Sequence, residues 1–137
     1  MVELFLDTSY AIALSCPSDQ YHARAVALAR QIEAQQRRFL TTRAVMLEIG
    51  NALAKPRYRA AAVRLLQAME QDPAVEIVAL SEERYARALR LYRERPEERG
   101  LTDCVSFVVM QERGLMEALS ADEHVRQAGY RALLLDT

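Results

Sequence analysis

The chain has 137 residues, about half of them apolar, and a formal net charge of −1. A chain of this size can bury a core without help from disulfides or a structural metal, so one domain over residues 1–137 is expected. The near-neutral balance excludes a global basic field, no apolar run is long enough to cross a bilayer, and the N-terminus lacks the features of an export signal, so a cytoplasmic protein without a membrane partner is expected.

Residues 2–6 are a short apolar run that predicts a first strand. Residues 21–36 carry Val26, Leu28, Ala29 and Ile32 and predict a helix. The basic pair Arg37-Arg38 leads into a second strand at 39–42, followed by a helix at 43–54 with Val45, Met46, Ile49 and Leu53 apolar. Lys55-Pro56 breaks the pattern, and residues 59–71 resume it with a stripe of Ala62, Val63, Leu66 and Met69 that ends at Asp72-Pro73. The β-branched stretch 75–80 predicts a third strand. Ser81-Glu82-Glu83-Arg84 opens a helix running to Arg95, before Pro96, and residues 102–113 form another, stopped at Gly114. A strand at 117–120, a short helix at 122–128 closed by Gly129, and a strand at 131–135 end the chain.

Strands alternating with helices over the whole length predict an α/β protein, because crossover helices cover both faces of a parallel sheet. The expected architecture is a single-domain α/β/α sandwich with a central, mainly parallel sheet of four to five strands. Cys16 and Cys104 match no metal-ligand spacing and are expected as reduced, packed thiols.

In such sheets ligands bind outside the carboxyl ends of the strands, which gives weight to an acid placed directly after an apolar strand. Asp7 closes the first strand and is followed by Thr8-Ser9, whose hydroxyls suit a carboxylate or a metal-bound water. Asp122 repeats the arrangement after Ala118-Leu119-Ser120-Ala121. Asp103 opens a helix whose Val105, Phe107, Val108 and Met110 anchor it to the core. Glu48 lies inside an apolar helix stretch, with Asn51 on the same face. Taken singly, the aspartates also suit helix caps and Glu48 suits a solvated helix face. Taken together, the four predict convergence.

Two unit charges about 4 Å apart repel by roughly 4 kcal/mol at an effective dielectric of 20, so a carboxylate cluster calls for a cation. Oxygen ligands select hard ions such as Mg²⁺ or Mn²⁺, whereas zinc asks for histidine or cysteine. The two histidines, His22 and His124, look poorly placed for a shared site, and His124 reads as a surface residue within reach of a phosphate. Carboxylate-held magnesium suits phosphodiester hydrolysis. The four glycines fit neither a dinucleotide nor a P-loop fingerprint. A phosphoaspartyl enzyme is disfavoured by Ser9 standing two residues after Asp7 and by Lys55 being the sole lysine.

Leu6-Asp7-Thr8-Ser9, Glu48, Leu101-Thr102-Asp103-Cys104 and Ala118-Leu119-Ser120-Ala121-Asp122-Glu123-His124, in that order, resemble the PIN-domain family over essentially the full length. Within it the chain looks most like the VapC-type toxin ribonucleases of VapBC toxin–antitoxin pairs. The resemblance implies a Mg²⁺- or Mn²⁺-dependent endoribonuclease whose acidic quartet maps onto Asp7, Glu48, Asp103 and Asp122. Asp7 and Asp103 would be the firmest ligands, Asp122 would complete the coordination, and Glu48 would position or deprotonate the attacking water. Thr8 and Ser120 would stand behind them. The family pattern also implies a homodimer and a small antitoxin partner. Val125 departs from it, standing where relatives often carry an aromatic residue.

Arg84, Arg87, Arg90, Arg93, Arg95 and Arg99 make a basic run that either guides RNA, chiefly through Arg95 and Arg99, or is balanced by Glu82, Glu83, Glu94, Glu97 and Glu98. The competing functions are a non-catalytic RNA- or protein-binding module of the same fold and a phosphatase or nuclease acting on another phosphoester, including structured DNA.

Overall fold

The computed structural model describes residues 3–94 and 100–136. Its centre is a sheet of five parallel strands, β1 (Glu3–Leu6), β2 (Arg38–Thr42), β3 (Val75–Val78), β4 (Glu117–Leu119) and β5 (Arg131–Ala132), in the order β3-β2-β1-β4-β5. Phe5 pairs with Leu40 on one side and Ala118 on the other, which makes β1 the central strand. Successive strand residues face opposite sides of a sheet, and Leu4 and Phe5 are both buried, so both faces are covered. The expected α/β/α sandwich is the observed fold, and its sheet is wholly rather than mainly parallel.

Seven helices lie among the described residues: α1 (Thr8–Ser15), α2 (His22–Ala34), α3 (Arg43–Ala52), α4 (Pro56–Gln71), α5 (Glu82–Glu94), α6 (Leu101–Arg113) and α7 (Glu123–Gln127). Sequence patterning misses α1 altogether. This helix packs against both α2 and α3 and buries Thr8, Tyr10, Ala11 and Ala13, and its few hydroxyl residues, Thr8, Ser9 and Ser15, cluster at its two ends, so no polar face marks the helical period. Helix α4 begins at Pro56 rather than Arg59, since proline is well suited to the first helical position, where its missing N–H costs nothing. Strand pairing at the C-terminus ends at Ala132, short of the expected residue 135. There the chain bends: the Leu133 N–H donates to the Ala118 carbonyl at 2.9 Å, the Leu134 N–H to the Ser120 carbonyl at 3.1 Å, and the Leu135 N–H turns back to Ala132.

The arginine run divides. Arg84 Nε and Arg87 Nη1 both bind Glu112 of α6, at 3.2 and 2.8 Å, so these two cations brace α5 against α6. Arg95 and Arg99 lie outside the described residues. Glu112→Ala removes both pairs at a partly exposed position and is expected to cost about 1 kcal/mol, a fall of about 3 °C in melting temperature, measurable by circular dichroism. No helix among the described residues is long and apolar enough to cross a membrane.

Candidate metal centre

From β1 the chain moves to β2, whereas from β4 it moves to β5 on the opposite side. The strand order therefore reverses between β1 and β4, and the crevice at their carboxyl ends is the place where an open α/β sheet takes its ligand. Asp7 follows β1 directly, and Ser120, Ala121 and Asp122 follow β4. The Asp7 N–H donates to the Leu119 carbonyl at 3.2 Å, which ties the two strand ends together.

Helices bring the other two acids to the same end. Thr42 ends β2 and caps α3, its hydroxyl accepting from the Val45 N–H at 3.1 Å. In the second turn of that helix, half-buried Glu48 lines a cavity of about 290 Å³ with Ala44, Leu80, Tyr85, Leu101 and Thr102. Asp103 sits in the first turn of α6, where its Oδ2 accepts from the Gly100 N–H at 3.3 Å. Cys104, Val105, Phe107 and Val108 behind it are buried and fix that turn.

The carboxylates sense one another. Asp7, only 5% exposed, has its pKa pushed up to about 6, first by burial, against the opposing Ser120 hydroxyl and Thr8 backbone N–H, and further by the charges of Glu48 and Asp122. Asp103 is pushed up to about 7, again first by burial and then by Asp7, Asp122 and Glu48. All four acids thus enter one electrostatic cluster. Among the described residues, Asp103, Asp122 and His124 form a group whose ligating atoms lie within 4.8 Å of one another; Asp7 and Glu48 are not part of that group.

His124 is the residue that sequence reasoning undervalued. Its Nδ1 lies 3.2 Å from Asp122 Oδ1, and its backbone N–H donates to the same oxygen at 2.8 Å. The signal was available in the spacing: an acid at a helix N-cap meets the residue two positions on. Asp122 therefore serves as both cap and cluster member, so its two readings are not exclusive. His22 is elsewhere, with Nδ1 2.8 Å from the Ala13 carbonyl, and links α1 to α2.

The two residues expected behind the acids behave differently. Ser120 donates to Asp7 Oδ2 at 2.7 Å. The Thr8 hydroxyl is buried and has no hydrogen-bond partner, whereas Ser9 reaches the Ser120 side chain and the Ala121 N–H. A hard divalent cation fits this set of residues. Among the described residues no lysine or arginine pairs with these mutually repelling carboxylates, and an orphaned hydroxyl adjoins Asp7 where a bound water or ion would satisfy it.

A parallel α/β sheet with an acidic cluster at its topological switch point defines the class of α/β proteins whose ligand crevice can hold a divalent cation. The sequence profile described as PIN domain matches residues 4–129, and the chain belongs to that family. Among solved structures, the chain is similar to Mycobacterium tuberculosis VapC20, described as a sarcin–ricin-loop-cleaving toxin. The TM-score is 0.80 at 25% sequence identity, over 93% of this chain and 95% of that one. A comparison with curated protein sequences gives no match.

Proposed function

We propose that the protein is a Mg²⁺- or Mn²⁺-dependent endoribonuclease of the VapC type, acting on RNA in the cytoplasm. The observation that supports this reading is the mutual electrostatic influence of Asp7, Glu48, Asp103 and Asp122, with Asp7 and Asp122 beside the crevice between β1 and β4, in a chain that belongs to the PIN domain family. RNA is favoured over DNA by the likeness to VapC20, because carboxylates and a metal do not themselves read a 2′-hydroxyl.

Asp7, Asp103 and Asp122 would hold the ion, with the His124 imidazole as a further ligand that favours Mn²⁺ more than carboxylates alone would. When bound, the ion polarises the scissile phosphate and acidifies water. Glu48, placed at the edge of the cluster, would accept the proton of the water that attacks phosphorus. The cavity beside it leaves room for the nucleotide next to the scissile bond. Ser120, through its bond to Asp7, would keep that carboxylate in one orientation.

A protein partner is supported by apolar side chains left exposed on α3 and α5, where Leu47 is 63% exposed and Tyr85, Leu89 and Tyr92 are each more than two-fifths exposed. Leu47 and Tyr85 also line the Glu48 cavity, so a small antitoxin seated there would obstruct the site. A homodimer would cover part of the same apolar surface.

The test is cleavage of labelled structured RNA, unstructured RNA and single-stranded DNA, with Mg²⁺, with Mn²⁺ and with EDTA. RNA cleavage that requires the metal is expected; cleavage that persists in EDTA, or acts on DNA alone, would refute the reading. Glu48→Gln is expected to lower kcat by about 100-fold while leaving Mn²⁺ affinity within a few fold of wild type, as for loss of a general base. An equal loss of metal affinity would make Glu48 a ligand instead.

A further inference from the structure

Two hydroxyls join the first and last acids of the site, and their hydrogen-bond directions follow from chemistry. Ser120 is fully buried; its Oγ lies 2.7 Å from Asp7 Oδ2 and accepts from the Asp122 N–H at 3.0 Å. Ser9 Oγ accepts from the Ala121 N–H at 2.9 Å and lies 3.3 Å from Ser120 Oγ. A backbone N–H only donates, and an ionised carboxylate only accepts. The Ala121 amide therefore occupies one lone pair of Ser9, and the Ser9 hydrogen is free to point at Ser120. Ser120 then receives from Asp122 and from Ser9, which fills both lone pairs, and its single hydrogen goes to Asp7. The two amides orient the whole chain of bonds.

We propose that Ser9 and Ser120 are positioning residues, forming a two-hydroxyl relay, anchored on the Ala121 and Asp122 amides, that holds Asp7 and Asp122 in register for a divalent cation. The relay rests on the metal-centre reading above. One oxygen, Ser120 Oγ, bonds both the side chain of one acid and the backbone of another, so their relative placement is set by a single atom. Ser9 acts through Ser120 and, by its bond from the Ala121 N–H, on the backbone that leads into Asp122. It lies in the first turn of α1, the helix that sequence patterning misses, and so couples the packing of that helix to the site. Outer partners of this kind govern how well ligands are oriented, and their loss typically weakens metal binding about 10- to 100-fold.

The test is a double-mutant cycle on the full chain, with Mn²⁺ affinity read by calorimetry. Ser120→Ala is expected to weaken Mn²⁺ binding about 10- to 100-fold, and Ser9→Ala by less. The double variant is expected to lose less than the product of the two single losses, because part of the Ser9 effect passes through Ser120. Ser9→Thr, which keeps the hydroxyl at a half-buried position, is expected to restore wild-type affinity. Unchanged affinity in Ser120→Ala, or losses that multiply in the double variant, would overturn the relay. If Ser120→Ala does not fold, Ser9→Ala against Ser9→Thr carries the test, and equal affinities in those two would overturn it. Amide hydrogen exchange on metal-free protein reads the relay without the ion: Ser9→Ala is expected to speed exchange at Ala121, and unchanged exchange there also overturns the proposal. A wild-type protein that binds no Mn²⁺ but shows the exchange effect would sink the metal-centre reading and leave the relay standing.

Discussion

Asp7→Asn is expected to abolish RNA cleavage, by about 10³-fold or more, and at the same time to raise the melting temperature of the metal-free protein at pH 8. The two effects have one cause. Asp7 is buried, and its pKa is pushed up to about 6 from 3.8 by that burial and by the charges of Glu48 and Asp122, so above pH 7 the metal-free fold carries a carboxylate that it holds less favourably than water does. A shift of about 2 units corresponds to about 3 kcal/mol at high pH. Asparagine keeps an oxygen to accept from Ser120 and removes the charge, so the metal-free variant should melt about 5 °C higher, less than the full figure because the new amide N–H₂ is also buried. Activity and thermal melts of the same preparation check both halves. A variant that melts lower than wild type at pH 8 would mean that Asp7 is structural; one that still cleaves would remove it from the site.

The second large effect is the pH dependence of stability without metal. Asp7 and Asp103 have folded-state pKa values near 6 and 7, both above the 3.8 of a free aspartate, so between about pH 4 and pH 7 the folded chain binds more protons than the unfolded one. Stability from these two groups is therefore fully present below pH 4, falls as pH rises through 6 and 7, and is level above. Glu76, whose pKa is lowered first by its hydrogen bonds from Arg113, runs the opposite way, losing stability as pH falls. The diagnostic is thus the difference between wild type and Asp7→Asn, which should widen from pH 5 to pH 8 in EDTA. Saturating Mn²⁺ should reverse the trend for wild type, since an ion that binds only the folded, ionised cluster stabilises it more as pH rises. Guanidinium unfolding at pH 5, 6.5 and 8, with and without Mn²⁺, measures it. Parallel curves for the two proteins would contradict the coupling of these acids.

The fold was legible where burial is one-sided or where turn chemistry is explicit. The stripe of Ala62, Val63, Leu66 and Met69 placed α4, although Val63 proves to be exposed; Gly114 in the left-handed conformation ended α6, and Leu4 and Phe5 marked a strand that lies at the centre of the sheet. It was illegible where an element packs against several neighbours: α1 has no polar face, and the short apolar stretch from Tyr10 to Leu14 gives periodicity nothing to work with. Leu133 and Leu134 misled in the opposite sense. Both are buried and read as strand, yet they leave the ladder after Ala132 while still bonding to the end of β4.

At the site, the acids were legible because each stands at a strand end, at a helix start or within an apolar helix, positions fixed by the core on which they sit. Their partners were not. That Ser9 rather than Thr8 supplies the hydroxyl contact depends on which way the first turn of α1 faces, and His124 joins Asp122 only because Asp122 caps α7. Both are questions of a single turn of helix, which residue order alone does not answer.

If the carboxylates at the carboxyl ends of β1 and β4, with Asp103, hold a divalent ion, anomalous diffraction from crystals grown with Mn²⁺ will locate it. The expected result is a manganese peak bounded by oxygens of Asp7, Asp103 and Asp122, with the His124 ring at its edge, and no such peak in Asp103→Asn. A peak bound elsewhere, or a crevice that stays empty at saturating Mn²⁺ with all four acids intact, would contradict the account.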